Sequence, residues 1–391
     1  MRVLIVNSVC GIGSTGRICT DLYDELVSDG HECCIAYGRG TAPNQYNTYK
    51  IGNKVDNYWH VLETRLFDNH GFASRRATKK FVDFIDAYSP DIIHLHNLHG
   101  YYLNVKYLFS YLNKKDIKIF WTFHDCWNFS PHSAYIDRVA NNELPTRNTY
   151  SSERLEYPKS LFISRSRHNY NKKKKIFTVN NNLNIITPSK WLEGLVKSSF
   201  FSNNEIITIN NGIDLNAFYR DDTTYLKRLL ELEDKKILLG VANIWEPRKG
   251  LNTFNNIAQG ISDEFQVILV GKIPAGVKIH SKIIVLDQVN STEELRKIYS
   301  SAYIFINPTS VDNYPTTNLE ASACGVPIIT SSVGGTPETI QKGRGIIFQN
   351  FDDLLNKISF LGWFNENIEF DSKKIDKEVS FKKYLEVFER R

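Results

Sequence analysis

Two carboxylates stand close together in the segment from Asn307 to Thr330, on a pattern that reads as strand end, loop, helix and strand. Asp312 lies in the loop and Glu320 lies eight positions later in the helix, which residues 315–317 open. The first N–H groups of a helix have no internal partner and attract anions, so a phosphorylated ligand is the natural guest. The two carboxylates could then accept hydrogen bonds from sugar hydroxyls on either side.

Glu320 also has a structural explanation. Thr317 and Glu320 fit the T-x-x-E capping box, in which each side chain bonds the backbone at the start of a helix. Spacing alone leaves the structural and the ligand-binding explanations open.

A pair of neighbouring cations, Arg248 and Lys249, follows the predicted strand Ile237–Val241 and precedes Gly250. Adjacent cations on a surface loop are commonly only solvated. After a strand of an α/β sheet they could instead neutralise a diphosphate leaving group.

Several histidines follow predicted strands. His124 comes directly after the strand Ile117–Thr122, where it is either a buried structural residue or a ligand contact. His94, His96 and His99 alternate along another strand end, but no carboxylate or cysteine is spaced to complete a metal site. We therefore expect no bound metal.

A basic run covers Ile163–Phe177 and contains no acidic residue. It is either a solvated basic face or a contact for anionic lipid headgroups or a lipid diphosphate. Its six cations are Arg165, Arg167, Lys172, Lys173, Lys174 and Lys175.

Bulk properties set wider limits. A chain of 391 residues with 42% hydrophobic residues is expected to form two domains with real cores. The net charge of +5 is too small to indicate nucleic-acid binding. Six cysteines without C-x-x-C pairs favour a reducing compartment, and no apolar run approaches the ~18 residues of a spanning helix. These features predict a cytoplasmic protein, whose first residues form a strand rather than a signal peptide.

Strands and helices alternate along the whole chain. The strand Val3–Val6 is followed by a glycine-rich turn containing Gly13 and Gly16, a helix and the strand Cys33–Tyr37, which is the opening of a doubly wound sheet. The turn does not match G-x-G-x-x-G, so a tight structural turn remains open. We also predict helices over Tyr58–Phe67 and Arg75–Tyr88, a loop over 41–60 and an irregular segment over 130–160.

The alternation predicts two Rossmann-like α/β domains, an acceptor-side domain over 1–210 and a nucleotide-sugar domain over 211–371. A C-terminal helix within about 372–391 is expected to pack back on the first domain. Ligands of such sheets bind beyond the carboxyl ends of the strands. The loops that follow strands should therefore face one interdomain cleft; they are 11–17, 94–101, 123–129, 243–250 and 308–317.

The acidic segment resembles the E-x7-E region of retaining glycosyltransferases of family 4, which have the GT-B fold. The first acid is Asp here, while the tail of the motif is intact as Glu320, Ala321, Ala323, Gly325, Pro327 and Ile328. Together with STGR and HLHNLHGYYLN, the segment resembles bacterial exopolysaccharide and capsule transferases, including the colanic-acid type.

The resemblance implies roles for individual residues. Lys249 would clamp the diphosphate, and Asn243 holds the place of the family's usual Arg, so that Arg248 would supply the missing charge. Glu320 would bind the ribose and Asp312 the transferred sugar, with His124 near that sugar. The remaining donor-binding positions are Gly13, Gly16, Thr316, Thr317 and Asn318.

The implied function is retaining transfer from a nucleotide-diphosphate sugar to a glycan, expected to be lipid-diphosphate-linked, with no metal or bound cofactor. The enzyme would work at the inner face of the membrane. Two alternatives remain open at this point: a non-catalytic sugar-nucleotide-binding or partner subunit, and a GT-B epimerase or phosphorylase.

Overall fold

The computed structural model describes residues 1–135, 157–179, 182–287, 289, 291–362, 364 and 370–390. It divides into two compact units. The N-terminal unit comprises Met1–Ile209 together with the end of the chain from Phe381, and the C-terminal unit comprises Asn210–Ser380. Each unit is built on one parallel sheet.

Within the described residues, the sheet of the N-terminal unit has seven strands in the order β3-β2-β1-β4-β5-β6-β7. These are β1 (Arg2–Asn7), β2 (Glu32–Tyr37), β3 (Thr48–Lys50), β4 (Ile92–Leu95), β5 (Lys118–Thr122), β6 (Leu183–Thr187) and β7 (Ile206–Thr208). The helices are α1 (Gly13–Ser28), α2 (Lys54–Phe67), α3 (Arg75–Tyr88), α4 (Val105–Leu112), α5 (Ser166–Phe177) and α6 (Lys190–Lys197).

Strand β1 shows why this sheet is buried on both faces. Leu4 and Val6 belong to one core, and Val3 and Ile5 belong to the core on the other face. Unbroken apolar runs of this kind are typical of parallel strands covered by helices on both sides. The second core also receives Phe388, whose ring centroid lies 4.8 Å from that of Phe120.

The sheet of the C-terminal unit has six strands in the part of the chain that the structure describes, in the order β10-β9-β8-β11-β12-β13. These are β8 (Lys236–Ile244), β9 (Phe265–Lys272), β10 (Ile283–Leu286), β11 (Ile304–Asn307), β12 (Ile328–Ser331) and β13 (Gly345–Phe348). The helices are α7 (Tyr225–Leu230), α8 (Leu251–Gly260), α9 (Thr292–Ser300), α10 (Thr316–Ala323) and α11 (Phe351–Ser359), and α12 (Lys377–Glu389) begins here and ends in the N-terminal unit.

In both sheets, the order in which the chain adds strands reverses beside the first strand, at a place called the reversal point here. In the N-terminal unit, β2 and β3 are added on one side of β1, and β4 is then added on the other side of β1. The C-terminal chain builds from β8 to β10 and resumes with β11 beside β8. Ligands of open α/β sheets bind at such reversal points, outside the carboxyl ends of the two strands. The relevant loops follow β1 and β4 in one unit, and β8 and β11 in the other.

The predicted doubly wound architecture is confirmed, and helix α3 has the predicted bounds. The prediction of a loop over 41–60 was wrong, because β3 and the first seven residues of α2 lie there. Residues Gly345–Phe348 and Phe351–Ser359 form a strand and a helix that were not predicted. Most of the predicted irregular segment 130–160 lies outside the described residues.

Among the helices of the described residues, none is both long and apolar enough to cross a bilayer.

Candidate active site

Three charged side chains meet at the reversal point of the C-terminal sheet. The Lys249 ammonium lies 2.7 Å from Oδ2 of Asp312, and Nη1 of Arg248 lies 3.9 Å from the same oxygen. Arg248 also donates from Nε to Glu246 at 3.1 Å. The cations come from the loop after β8 and the carboxylate from the loop after β11, so the structure brings these sequence-predicted residues together.

Backbone constraints fix the cationic loop. Residues Pro247–Lys249 form a 3-10 turn that ends at Gly250, which has a φ of +79°. A Cβ at Gly250 would lie 2.3 Å from the carbonyl oxygen of Pro308, so only glycine allows this approach. The Arg248 carbonyl accepts hydrogen bonds from the Thr309 hydroxyl at 3.0 Å and from the Ser310 N–H at 2.8 Å. The two loops are therefore tied to each other.

The Asp312 carboxylate is ionised in this setting. Burial raises its pKa, but the charges of Lys249 and Arg248, with hydrogen bonds from Lys249 and the Asn313 N–H, bring the pKa below its usual value. The loop after β12 also holds this residue, because the Gly335 N–H donates to the Asp312 carbonyl at 3.0 Å. Sequence reasoning missed that contact, although the adjacent glycines at 334 and 335 mark a place where two backbones approach closely.

Helix α10 begins at Thr316, four residues after Asp312. Its N-cap is Pro315, and no side chain caps it, so the capping-box alternative for Thr317 and Glu320 is excluded. A proline cannot cap with its side chain, so the first N–H groups of the helix lack that partner. The side chains of Thr316 and Thr317 are partly exposed at this end.

Glu320, in the middle of α10, is buried. Its Oε2 accepts a hydrogen bond of 2.8 Å from the hydroxyl of Tyr299, which is itself fully buried at the end of α9. Tyr299 is a residue that sequence reasoning missed, since nothing in the chain pairs an aromatic residue of one helix with an acid 21 positions later.

Asn318 lies in a buried polar network rather than at the surface. Its Oδ1 accepts from the Asn307 amide at 2.8 Å, and its own amide donates to the Thr339 hydroxyl at 2.8 Å. The side chain is fully buried, so it ties β11 and α10 to the turn after β12. Asn243 is exposed, and it lies within β8 because that strand continues beyond the predicted end through a register shift between Val241 and Ile244.

The N-terminal unit carries the glycine turn at its own reversal point. Gly13 begins α1 with a φ of +66°, and a Cβ there would meet nothing within 4 Å. Gly16 is buried, and a Cβ there would lie 3.2 Å from the Gly11 nitrogen. Gly13 thus leaves the turn open to an approaching group, while Gly16 allows the turn to close.

His124 forms a hydrogen-bonded pair with His96, with 2.8 Å between Nε2 of His124 and Nδ1 of His96. Burial lowers the pKa of His124 to about 4, despite the opposing charge of Asp125, so the ring is neutral at pH 7. His94 bonds Thr122 at 2.8 Å and His99 bonds Asp125 at 2.6 Å.

The basic run forms helix α5, and its cations are not equivalent. Lys173 is buried, donates to the Trp127 carbonyl at 2.5 Å and lies 4.5 Å from the centre of the Trp127 ring. Lys172 is partly buried with its ammonium 3.6 Å from the centre of the Phe72 ring. The prediction of six surface cations was wrong for Lys173, which cannot reach a membrane from this position. Arg165, Arg167, Lys174 and Lys175 are exposed.

Comparison with known proteins places this arrangement in a family. A model of glycosyltransferase family 4 matches residues 15–217, which is more than half of the chain. The chain belongs to glycosyltransferase family 4. A second model, described as glycosyl transferases group 1, matches residues 235–361 of this glycosyltransferase and so covers the candidate site.

One similar protein is WcaC of Escherichia coli (strain K12), a glycosyl transferase named for colanic acid biosynthesis. It is 23% identical over 374 residues, which are 88% of this chain and 86% of WcaC.

Solved structures show that this family 4 member has the GT-B fold. Sucrose-phosphate synthase from Thermosynechococcus elongatus superposes with a TM-score of 0.70 at 15% identity, covering 99% of this chain and 98% of that one. Anabaena HepE in complex with UDP and glucose superposes with a TM-score of 0.65 at 13% identity, covering 99% of both chains. At these identities the likeness concerns the fold.

Proposed function

We propose that this glycosyltransferase moves a sugar, with retention of configuration, from a nucleotide-diphosphate donor to a glycan acceptor of bacterial surface polysaccharide synthesis. The observation that carries the proposal is the meeting of Lys249 and Arg248 with Asp312, four residues before the start of α10, at one reversal point. Two cations and a row of helix N–H groups match a departing diphosphate. The similarity to WcaC supports a polysaccharide as the product, and the UDP bound by HepE supports a nucleotide donor.

The chemistry assigned to each residue follows from its contacts. Lys249 and Arg248 stabilise the negative charge that develops on the diphosphate as its bond to the sugar breaks. The acceptor hydroxyl attacks on the same face and passes its proton to the departing diphosphate. Asp312 holds Lys249 in place and accepts from hydroxyls of the sugar, while Glu320 accepts from the ribose. Asn318 positions the helix, and His124, neutral at pH 7, offers a ligand of the N-terminal unit a hydrogen-bonding ring without a charge.

A panel of nucleotide sugars tests donor binding. Thermal unfolding is measured with UDP-, GDP-, ADP- and dTDP-sugars, since a true donor stabilises the folded protein by mass action. We expect one nucleotide to raise the Tm well above the others, and a smaller rise for Lys249→Ala than for Lys278→Ala, an exposed lysine of the same unit. Equal shifts for all nucleotides in the wild type would contradict a specific donor site.

Turnover separates an enzyme from a binding subunit. With the stabilising donor and an undecaprenyl-diphosphate-linked glycan, the wild type should release the nucleoside diphosphate and extend the glycan with the donor's anomeric configuration. Binding without release would make the protein a non-catalytic subunit. Because cations occupy the place of a metal, we expect the same rate in EDTA; loss of turnover restored by Mg²⁺ or Mn²⁺ would contradict metal independence.

A further inference from the structure

Helix α2 has its apolar side outward. Val55 is 75% exposed, Tyr58 75%, Trp59 59% and Leu62 45%, and their spacing places them on one stripe of the helix. We call these four residues the outer face of α2. Exposed apolar residues at helical spacing mark an interaction surface rather than scattered surface positions.

The polar side of α2 is fixed inward by specific contacts. The buried residues of the helix are His60 and Thr64. His60 bonds the Ser74 hydroxyl at 2.9 Å through Nδ1 and accepts from the Gly71 N–H at 3.1 Å through Nε2. The Asn53 side chain and Asp56 close a capping box at the helix start. Because these bonds hold the helix in one rotation, its outward stripe is a built feature.

A groove of about 470 Å³ runs beside the outer face, between α2 and the start of α3. Trp59 and Phe72 give it apolar walls, and Arg75 and Arg76 stand at its edge. Its acid Glu63 already accepts from Trp59 Nε1 at 2.9 Å and from the Asn69 amide at 2.5 Å. Apolar walls with two arginines at the edge suit an amphiphile with an anionic head.

Four cations gather around the Phe72 end of the groove: Arg75, Lys106, Arg165 and Lys172, here called the basic cluster. Burial, together with the charges of Lys106, Arg75 and Arg165, lowers the pKa of Lys172 to about 8. Within the described residues, none of the four forms an ion pair with a carboxylate. A set of like charges that repel one another gains stability when an anion joins it.

A second apolar segment continues this surface. Leu161, Phe162 and Ile163 are exposed, with Phe162 at 69%. The Leu161 N–H donates to the Arg65 carbonyl near the end of α2 at 2.8 Å, so the segment lies against that helix. Arg165 follows directly, which puts apolar and cationic groups side by side.

We propose that the outer face of α2, with the basic cluster, docks the N-terminal unit onto an anionic lipid bilayer. Tyr58 and Trp59 would lie at the headgroup level with Val55 and Leu62 just below it, as in interfacial amphipathic helices. The basic cluster would meet the headgroup phosphates. The inference deepens the proposed function, since a lipid-linked acceptor requires the enzyme at a bilayer, but its test needs no turnover.

Charge favours a bilayer over a second copy of the chain as the occupant. A symmetric dimer through this face would bring the same surface of both copies together, so the two basic clusters would lie near each other. Like charges across an interface oppose association, whereas an anionic bilayer neutralises them.

Co-sedimentation of the full chain with vesicles tests the docking. We compare phosphatidylcholine vesicles with vesicles that also contain phosphatidylglycerol. The wild type should bind the anionic vesicles at low salt and dissociate as salt rises, because screening weakens the phosphate contacts. We expect about tenfold weaker binding both for Tyr58→Ser with Leu62→Ser and for Arg75→Gln with Arg165→Gln.

Matched controls remove equivalent groups elsewhere. Leu229→Ser with Phe360→Ser removes two exposed apolar residues of the C-terminal unit, and Lys382→Gln with Lys383→Gln removes two exposed cations of α12. Both pairs should bind like the wild type. Trp59 should show a blue-shifted fluorescence on anionic vesicles, and Trp59→Phe should keep the binding and lose the shift.

Three outcomes would overturn the docking. The wild type could ignore anionic vesicles at low salt, or the outer-face variants, with unchanged thermal unfolding, could bind as well as the controls. A concentration-dependent dimer that Tyr58→Ser with Leu62→Ser dissociates would assign the face to a second copy. Sugar transfer to a soluble acceptor without vesicle binding would refute the docking alone, and vesicle binding without transfer would refute the proposed function alone.

Discussion

Lys249 is held by an acid before any donor phosphate reaches it. Asp312 accepts from its ammonium at 2.7 Å, and the pKa of that carboxyl is lowered, because the cations outweigh the effect of burial. The lysine is therefore oriented at the reversal point at no conformational cost when charge develops on the leaving group. Asp312 is one methylene shorter than the Glu of the family motif, and its short reach suits this pairing.

Tyr299→Phe tests the role of Glu320 from a residue outside the sequence motif. Removing the hydroxyl leaves the buried carboxylate without its 2.8 Å donor, which we expect to destabilise the fold by about 1–3 kcal/mol. If Glu320 binds the ribose, the KM for donor should rise several-fold while kcat changes little. Steady-state kinetics and urea unfolding measure both effects, and Tyr303→Phe in the same unit is the control. An unchanged KM would indicate that Tyr299 and Glu320 only hold the helices together.

Sequence reasoning located Lys249 and Asp312 because loops after parallel strands share one edge of the sheet. The capping alternative that it left open for Glu320 fails, because the helix begins at Thr316, two residues earlier than a box capped by Thr317 requires. Sequence reasoning failed on Lys173, which a composition-based reading places at the surface with its neighbours. Only packing against the Trp127 ring shows that this cation is buried.

At the scale of elements, the turn between β8 and α8 carries the cations on a backbone that requires glycine. Gly250→Ala would place a Cβ 2.3 Å from the Pro308 carbonyl at a φ of +79°. We expect a loss of about 2 kcal/mol or more in the free energy of unfolding. We also expect an at least tenfold lower kcat/KM, because the Arg248–Lys249 turn must shift.

Gly260→Ala is the matched control for that change. Gly260 ends α8, and a Cβ there would meet nothing within 4 Å, so this substitution should be neutral or stabilising by up to about 1 kcal/mol. Equal effects of the two substitutions on unfolding and kinetics would show that the close approach of the loops does not hold the site.

Helix α2 shows where element prediction from sequence breaks down. Its start was predicted late, although Asn53 and Asp56 fit an N-x-x-D capping pattern that the structure confirms. Its apolar residues have helical spacing and would conventionally be assigned to the core. The structure assigns the core positions to His60 and Thr64 instead, because His60 bonds Ser74 and Gly71 in the loop before α3 and the Thr64 hydroxyl bonds the His60 carbonyl. No local pattern contains that information.

At the scale of the whole molecule, the two units differ in their histidine content. Burial lowers the pKa of His60 and His94 to about 3, and that of His124 to about 4. All of these lie in the N-terminal unit, while the C-terminal unit contains a single histidine, His280. The described part of the N-terminal unit therefore holds groups that take up protons on unfolding.

We expect the N-terminal unit to lose stability selectively in acid. Histidines with lowered pKa values bind more protons when unfolded, so their full stability is present above the ordinary pKa of 6.5 and is lost as the pH falls toward 4. Hydrogen exchange of the full chain at pH 7.5 and 5.5, corrected for intrinsic rates, should show protection falling in β4 and β5 but not in β8 and β11. Equal loss in both units would contradict this account.

The two-unit α/β architecture was predictable, because strand and helix patterns alternate in both halves and strands such as β1 and β9 contain unbroken apolar runs. The site within each unit was partly predictable for the same reason. The reversal points were not, since strand order depends on which helices cross which face. That order is what makes the loops after β8 and β11 neighbours.

The account depends most directly on Lys249 at the reversal point of the C-terminal sheet. The decisive measurement is kcat/KM for donor turnover by Lys249→Ala, compared with Lys278→Ala and the wild type at matched thermal stability. We predict a loss of about 10²-fold for Lys249→Ala, the scale of one charge-stabilising contact, and no loss for Lys278→Ala. A folded Lys249→Ala enzyme with wild-type kcat/KM would contradict the assignment of this site to the departing diphosphate.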